Sequence, residues 1–133
     1  MIVSAEEFIK LRTSDIAEEQ HRASHDSADN AVWLDIIQNH PEYKFWVVHN
    51  KTIPVEMLEL LAKDEDADVR AAVARKRKIN DRIFELLSTD NDESVRYALI
   101  YNAKLSKEKK RLIHTEGSEL LEAALQRQLA KTD

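Results

Sequence analysis

Cysteine is absent from this chain, and its 133 residues include only one glycine and two prolines. Without cysteine there is no disulfide framework, no thiolate metal site and no cysteine nucleophile. Sheet-rich folds with many tight turns use more glycine and proline than this. No run approaches the roughly 20 apolar residues of a membrane span, and the start MIVSAEEFIKLR has acids where a signal peptide has a basic end. We therefore expect a cytoplasmic protein that does not engage a membrane.

The chain is rich in charged and apolar residues. Hydrophobic residues make up 43% and charged residues 34%, the balance of a folded helical protein. The net charge of −5 is uneven, because residues 1–63 hold 6 Lys/Arg and 11 Asp/Glu, whereas residues 64–133 hold 14 of each kind. The acidic first half argues against general nucleic-acid binding, which needs a basic face. It would suit a basic partner.

The sequence repeats itself with a period of 26 residues. Three ungapped blocks align at this spacing: QNHPEYKFWVVHNKTIPVEMLELLAK from Gln38, DEDADVRAAVARKRKINDRIFELLST from Asp64 and DNDESVRYALIYNAKLSKEKKRLIHT from Asp90. Regular repeats cover residues 38–115, and degenerate terminal repeats cover 1–37 and 116–133. About five units account for the whole chain, so we expect a single repeat domain over residues 1–133.

Each repeat predicts two short helices. Apolar residues recur at i, i+3 and i+4 in both, which is the pattern of one buried helix face. The clearest examples are Ile83, Leu86, Leu87 for a first helix and Val95, Ala98, Leu99 for a second helix. Asn80 and Ser106 are predicted N-caps, and Ser4 with Glu7 predicts a capping box. The fold class expected is therefore all-α.

The stretches LELLAKDEDADVRAAVARK and FELLSTDNDESVRYALIYN carry a Val-Arg pair after an acidic turn. In this respect the chain resembles HEAT-type repeat proteins, and it is most similar to their leucine-rich repeat variant subgroup. The resemblance implies a right-handed α-solenoid of helix pairs, with the second helices lining a concave surface. Members typically act as protein-binding scaffolds, and some related arrays bind nucleic acid. Iron–sulfur variants carry a cysteine cluster that is missing here, so no cofactor is expected.

Basic residues provide two kinds of candidate. Arg70 and Arg96 share one repeat position, where such arrays use arginine in a ladder of ion pairs to neighbouring acidic turns; direct binding is the alternative. Residues 75–78, Arg75, Lys76, Arg77 and Lys78, follow a second helix. Cations stabilise a helix C-terminus, but four in a row exceed that need. They also predict a patch for phosphate or for an acidic protein surface.

Aromatic side chains provide the third candidate. Phe45 and His49, like Tyr97 and Tyr101 two repeats later, are predicted to point away from the buried stripe, together with Ala71. Aromatic residues beside arginine are typical of interface hot spots. Trp46, by contrast, is expected to fill the core.

The remaining patterns carry little chemistry. His21 and His25 have a spacing that can hold a metal on a helix, but HRASH lacks the glutamate of a zinc-protease helix, so we expect a surface pair and no metal. One glycine cannot build a phosphate-binding loop. We expect no enzyme, no cofactor and no small-molecule substrate.

The sequence thus predicts a non-enzymatic module that engages a protein partner on the concave face of a helical-repeat array. Two alternatives remain open. One is an immunity-type inhibitor that neutralises a basic toxin or nuclease, suggested by the acidic first half. The other is a nucleic-acid-associated module that uses the basic cluster at 75–78.

Overall fold

The computed structural model describes residues 1–131, which fold into ten α-helices and one short 3-10 helix. The predicted all-α class is confirmed for this part of the chain. Contacts within the chain divide it into two compact units, Met1–Leu61 and Ala62–Asp133. Among the described helices, none combines the length and the apolar character that a membrane crossing requires. A continuous solenoid of five repeats stays a prediction.

The first unit is built around two aromatic side chains. Its elements are α1 (Ala5–Thr13), α2 (Ala17–His25), α3 (Asn30–Asn39), the 3-10 helix (Pro41–Tyr43), α4 (Lys44–His49) and α5 (Val55–Leu61). Phe8 of α1 and Trp33 of α3 are both fully buried and meet edge to face, with ring centroids 5.6 Å apart. Such a pair contributes about 0.5–1.5 kcal/mol beyond the burial of its area.

The start of α1 is capped nearly as the sequence predicts. The Ser4 hydroxyl accepts a hydrogen bond from the Glu7 backbone N–H at 3.0 Å. The Glu7 carboxylate accepts one in return from the Val3 N–H at 2.9 Å, whereas a capping box would return the bond to Ser4. Ile2, also fully buried, donates its N–H to the Ser27 carbonyl at 2.8 Å. The N-terminus is therefore tied to the end of α2.

The second unit consists of α6 (Ala67–Ala74), α7 (Asp81–Ser88), α8 (Glu93–Ile100), α9 (Lys107–Lys110) and α10 (Glu119–Leu129). α8 packs against α6, α7 and α10. The predicted stripe of Val95, Ala98 and Leu99 is buried, and the predicted cap Asn80 accepts from the Ile83 N–H at 2.9 Å. Leu86 corrects the first-helix stripe, because it is 38% exposed while its neighbour Leu87 is buried.

Residues 64–68 and 90–94 make the same turn, one period apart. Asp64 and Asp90 open the two turns, and each accepts a hydrogen bond from the backbone N–H of the residue two positions later. Asp66 and Asp92 then cap the following helix, again by accepting from the backbone N–H two residues later. A carboxylate at a helix N-terminus is also favoured by the helix dipole. The acidic turns of the sequence therefore start the second helices α6 and α8.

Two buried asparagines, Asn50 and Asn102, occupy the same repeat position and make bonds of the same kind. The Asn102 Nδ2 donates to the carbonyls of Ala74 and Lys76, both at 2.8 Å, and its Oδ1 accepts from the Lys104 N–H at 2.9 Å. Asn50 likewise donates to two carbonyls at the end of α2. Each amide thus satisfies backbone groups at a helix end that would otherwise lack partners.

Lysines of α9 join the neighbouring helices of the second unit. Lys110 is 5% exposed and donates to the Gln128 side chain at 3.1 Å; burial lowers its pKa. Lys109 contacts Asp81 on α7, and the hydrogen bond it donates lowers the pKa of that carboxyl. A helix of four residues is thereby anchored on both sides.

Candidate binding site

Four of the predicted binding residues line one cavity in the second unit. Arg75, Arg77, Tyr97 and Tyr101 surround a volume of about 350 Å³, together with Asn102 and two alanines. We call this volume the tyrosine–arginine cavity. Its size is at the lower end of the range for small-ligand sites, about 300–1,000 Å³.

The repeat brings these residues together. Arg75, Tyr101 and Arg127 are spaced 26 residues apart, and Tyr97 of α8 lies one helical turn before Tyr101, which caps the end of α8. Residues four apart on a helix are neighbours, and the two tyrosine ring centroids are 4.9 Å apart at an angle of 39°. The Arg127 Nη1 donates to the Tyr101 hydroxyl at 3.1 Å. Tyr101 is therefore held in place by a side chain of α10.

The two tyrosine hydroxyls differ in acidity. A hydrogen bond with Tyr101 raises the pKa of Tyr97, whereas the hydrogen bond from Arg127 lowers the pKa of Tyr101. Arg127 stabilises negative charge on the Tyr101 oxygen, because a guanidinium is always positive. In the lining itself, Arg75 and Arg77 supply positive charge next to the aromatic surface of the two tyrosines.

Asn102 positions the arginine side of the cavity. Its side chain bonds to the carbonyls of Ala74 and Lys76, which flank Arg75 and precede Arg77. The residue directly after Tyr101 therefore sets the backbone that carries both arginines. The amide thus adds to the backbone hydrogen bonds that Arg75 and Lys76 donate to Ala72 and Val73 at the end of α6.

The other predicted arginines are engaged within the second unit. Arg70 donates to both carboxylate oxygens of Asp90, at 2.8 and 3.2 Å, and to the Asp64 carbonyl at 2.8 Å. The side chains of this ion pair are only 14% and 8% exposed. Arg96 donates to the His114 carbonyl at 2.8 Å instead of to an acid. Arg70 thus makes an ion pair of the kind that the ladder interpretation predicts. Arg96 also reaches a later turn, but it bonds to a backbone carbonyl there and not to a carboxylate.

The residues of the basic cluster at 75–78 differ in their surroundings. Arg75 and Arg77 line the cavity, whereas Lys76 is half-buried and Lys78 is exposed outside the cavity lining. Ala71 was expected on the exposed face beside this cluster, but it is 4% exposed. It belongs to α6, which packs against α8.

Phe45 and His49 belong to the first unit. Phe45 is 44% exposed, and its ring meets Trp46 edge to face at 5.2 Å and lies nearly parallel to His49 at 6.4 Å. Trp46 corrects the expected core plug, because it is only half-buried. Its position in the next repeat is alanine, Ala72, and an indole is far larger than a site sized for a methyl group. The ring instead stacks under the Arg12 guanidinium, 3.3 Å from the ring centroid.

The predicted histidine pair lies on α2 and is exposed. The His21 and His25 rings stack face to face with centroids 3.8 Å apart, and His25 Nδ1 also contacts the Ser24 hydroxyl at 2.8 Å. Within residues 1–131, no group of three or more metal-ligating side chains could hold an ion.

Two functional candidates were missed from the sequence. Arg127 shares a repeat position with Arg75 and Tyr101, so the period carried the signal. Arg12 lies in the degenerate first repeat, where no alignment column marks it. Only its contact with Trp46 reveals it.

Comparisons of this chain with protein-family models, with curated proteins and with solved structures each returned no match. Function is therefore inferred from the chain's own geometry.

Proposed function

We propose that this chain is a non-catalytic binding module that takes an acidic segment of a protein partner into the tyrosine–arginine cavity. One observation carries the proposal. Arg75, Arg77, Tyr97 and Tyr101 are spread over two repeats in the sequence, yet they line a single cavity.

The chemistry of the lining favours a carboxylate-bearing protein segment. Guanidinium groups form paired hydrogen bonds with carboxylates, and tyrosine and arginine are enriched among interface hot spots. Tyr101 is already held by Arg127, and the backbone of both arginines by Asn102. Less conformational freedom is then lost on binding, which improves affinity.

We infer that both units are built from HEAT-like repeats of 26 residues. The identical turns at 64–68 and 90–94 and the equivalent bonding of Asn50 and Asn102 support this inference. Members of that class typically serve as protein-binding scaffolds. The likeness therefore favours a protein partner over nucleic acid, and a binding role over catalysis.

The test uses the full chain and two defined probes, a labelled glutamate-rich peptide and an oligonucleotide of similar charge, titrated at low and moderate salt. The peptide is expected to bind more tightly, and Tyr97→Ala is expected to weaken it by about 2 kcal/mol, as at a hot spot. The double variant of Arg75→Ala and Arg77→Ala should do the same. Lys104→Ala removes an exposed positive charge outside the cavity lining and serves as the matched control.

Two outcomes would contradict the proposal. Oligonucleotide binding that falls steeply with salt and is lost when residues 75–78 are neutralised would assign the cluster to nucleic acid. Capture of a basic protein from lysate after nuclease treatment, unaffected by Tyr97→Ala, would favour the inhibitor alternative and the acidic residues 1–63.

A further inference from the structure

The first unit contains a second cavity, unrelated to the tyrosine–arginine cavity. It has a volume of about 310 Å³, and its lining is formed by Arg12, Ala17, Gln20, His21, Ala23, Ser24, Trp46 and His49. We call it the Arg12 cavity. All of its residues come from α1, α2 and α4.

Arg12 is the unusual member of this lining. Its guanidinium carbon lies 3.3 Å from the centroid of the Trp46 ring, and its buried Nε atom has no hydrogen-bond partner among residues 1–131. Residues 1–63 hold 11 carboxylates, and Arg22 in the same unit uses one of them, Asp26, at 2.8 Å. A buried guanidinium donor without an acceptor is costly. Trp33 Nε1, Arg96 Nε and Gln128 Nε2 are likewise buried without a partner among residues 1–131, and Arg12 differs from them in that it lines this cavity.

Contact with the Trp46 ring holds the Arg12 guanidinium in position for an acceptor in the cavity. Stacking on an aromatic face leaves the edge of a guanidinium, with its N–H groups, available for an anion. Arg12 therefore needs little reorganisation on binding, and the other polar side chains of the cavity, among them Gln20 and Ser24, can complete the contacts.

We propose that the Arg12 cavity binds a carboxylate carried on a short apolar body. A planar carboxylate matches the guanidinium edge in two parallel hydrogen bonds, and Ala17, Ala23 and Trp46 supply apolar surface for the rest of the ligand. The excess of acidic residues in 1–63 repels a phosphate dianion more strongly than a single negative charge. The carboxylate comes from a small free acid or from the C-terminal residue of a peptide.

The experiment titrates the full chain with four probes and follows the Arg12 Nε–H and Trp46 indole N–H signals by NMR. Butyrate represents a free acid, and N-acetyl-leucine represents a peptide C-terminus. Butyramide is the neutral counterpart of butyrate, and inorganic phosphate is the competing anion. Both carboxylates are expected to shift the two signals saturably. Tenfold tighter binding of N-acetyl-leucine would identify the peptide terminus as the source, and similar binding would identify a free acid.

The matched variants are Arg12→Gln, Arg12→Lys and Arg22→Gln, each checked for helix content by circular dichroism. Arg12→Gln should weaken carboxylate binding at least about tenfold, because a charge-assisted hydrogen bond is lost. Arg12→Lys keeps the positive charge but lacks the planar guanidinium. Its affinity for the carboxylates should therefore lie between that of the unaltered chain and that of Arg12→Gln. Arg22→Gln, which removes an arginine of the same unit outside the cavity, should bind as the unaltered chain does.

The proposal is overturned if neither carboxylate shifts the signals saturably, if butyramide binds as well as butyrate, or if phosphate alone saturates the site. It is also overturned if folded Arg12→Gln binds undiminished. None of these results depends on the second unit, so they leave the proposed function untouched.

Discussion

Asn102→Ala removes the amide that holds the end of α6 and the start of the basic cluster. The lost bonds are those from Nδ2 to the Ala74 and Lys76 carbonyls, both at 2.8 Å, and that from the Lys104 N–H at 2.9 Å. Asn102 is only 5% exposed. Water can therefore replace only part of what it supplies.

The magnitude follows from these three bonds. Each contributes about 1 kcal/mol net, and a buried carbonyl left without a partner costs about 1–3 kcal/mol. Because the Lys76 carbonyl belongs to a half-buried residue and can regain water, we expect a loss near the simple sum, about 3 kcal/mol in the free energy of unfolding. The loop that carries Arg75 and Arg77 should also loosen, so affinity for the glutamate-rich peptide should fall with stability.

Chemical denaturation followed by circular dichroism measures the loss. Asn91→Ala, which removes an exposed amide from a turn of the same unit, is the matched control and should change stability by less than about 0.5 kcal/mol. Asn50→Ala should cost about as much as Asn102→Ala, since its amide makes the same kind of bonds. If Asn102→Ala is no more destabilising than Asn91→Ala, the hydrogen bonds do not hold the helix end and the reasoning is refuted.

Asn102→Asp sharpens the same test. The aspartate has the shape of asparagine but cannot donate, so its carboxylate would face two carbonyl oxygens. We expect a loss at pH 7 at least as large as that of Asn102→Ala. Part of it should be recovered at low pH, where the protonated carboxyl regains one donor. A pH-independent loss would contradict this account.

Three further predictions concern stability. Arg70→Ala should cost about 2–3 kcal/mol by denaturation, because it strands the Asp90 carboxylate in a largely buried site, and a surface-like loss below 0.5 kcal/mol would exclude this role. Trp33→Ala should cost about 3–5 kcal/mol, since a fully buried indole is lost, and a smaller loss would mean that the core closes over the gap. Hydrogen bonds from Ser94 lower the pKa of Asp92. The Asp92 carboxylate that caps α8 therefore makes its full contribution to stability above the ordinary aspartate pKa, and loses it as the pH falls through the lowered pKa. The stability difference between the unaltered chain and Asp92→Asn should therefore shrink between about pH 5 and pH 2, and a constant difference would argue against the cap.

Much of the local structure could be read from the sequence, because the period reports on backbone requirements. The stripe of Val95, Ala98 and Leu99, the cap at Asn80 and the acidic turns recur wherever the same helix must start and pack. The period also related residues in and beside the tyrosine–arginine cavity, because Arg75, Tyr101 and Arg127 are separated by whole repeats. The bond between Arg127 and Tyr101 is visible only in the structure.

The three failures have separate causes: the size of a side chain, its place on the helix and the lack of a repeat column. Trp46 takes a position that is alanine in later repeats, so alignment predicted a buried residue where the indole cannot fit. Leu86 matches a leucine in each neighbouring repeat, yet it is 38% exposed, because it lies beside the buried face that Ile83 and Leu87 share. Arg12 lies in a degenerate repeat, where no column exists to identify it.

The uneven distribution of aromatic residues gives each unit its own optical signal. Both tryptophans, Trp33 and Trp46, belong to Met1–Leu61, whereas Ala62–Asp133 contains none and holds the neighbouring Tyr97 and Tyr101. Intrinsic tryptophan fluorescence therefore reports on the first unit alone, while backbone circular dichroism reports on both. Superimposable unfolding curves from the two signals would mean that the halves melt as one cooperative body, and separated curves would mean that each half melts independently. The chain can reveal its own cooperativity without any attached label.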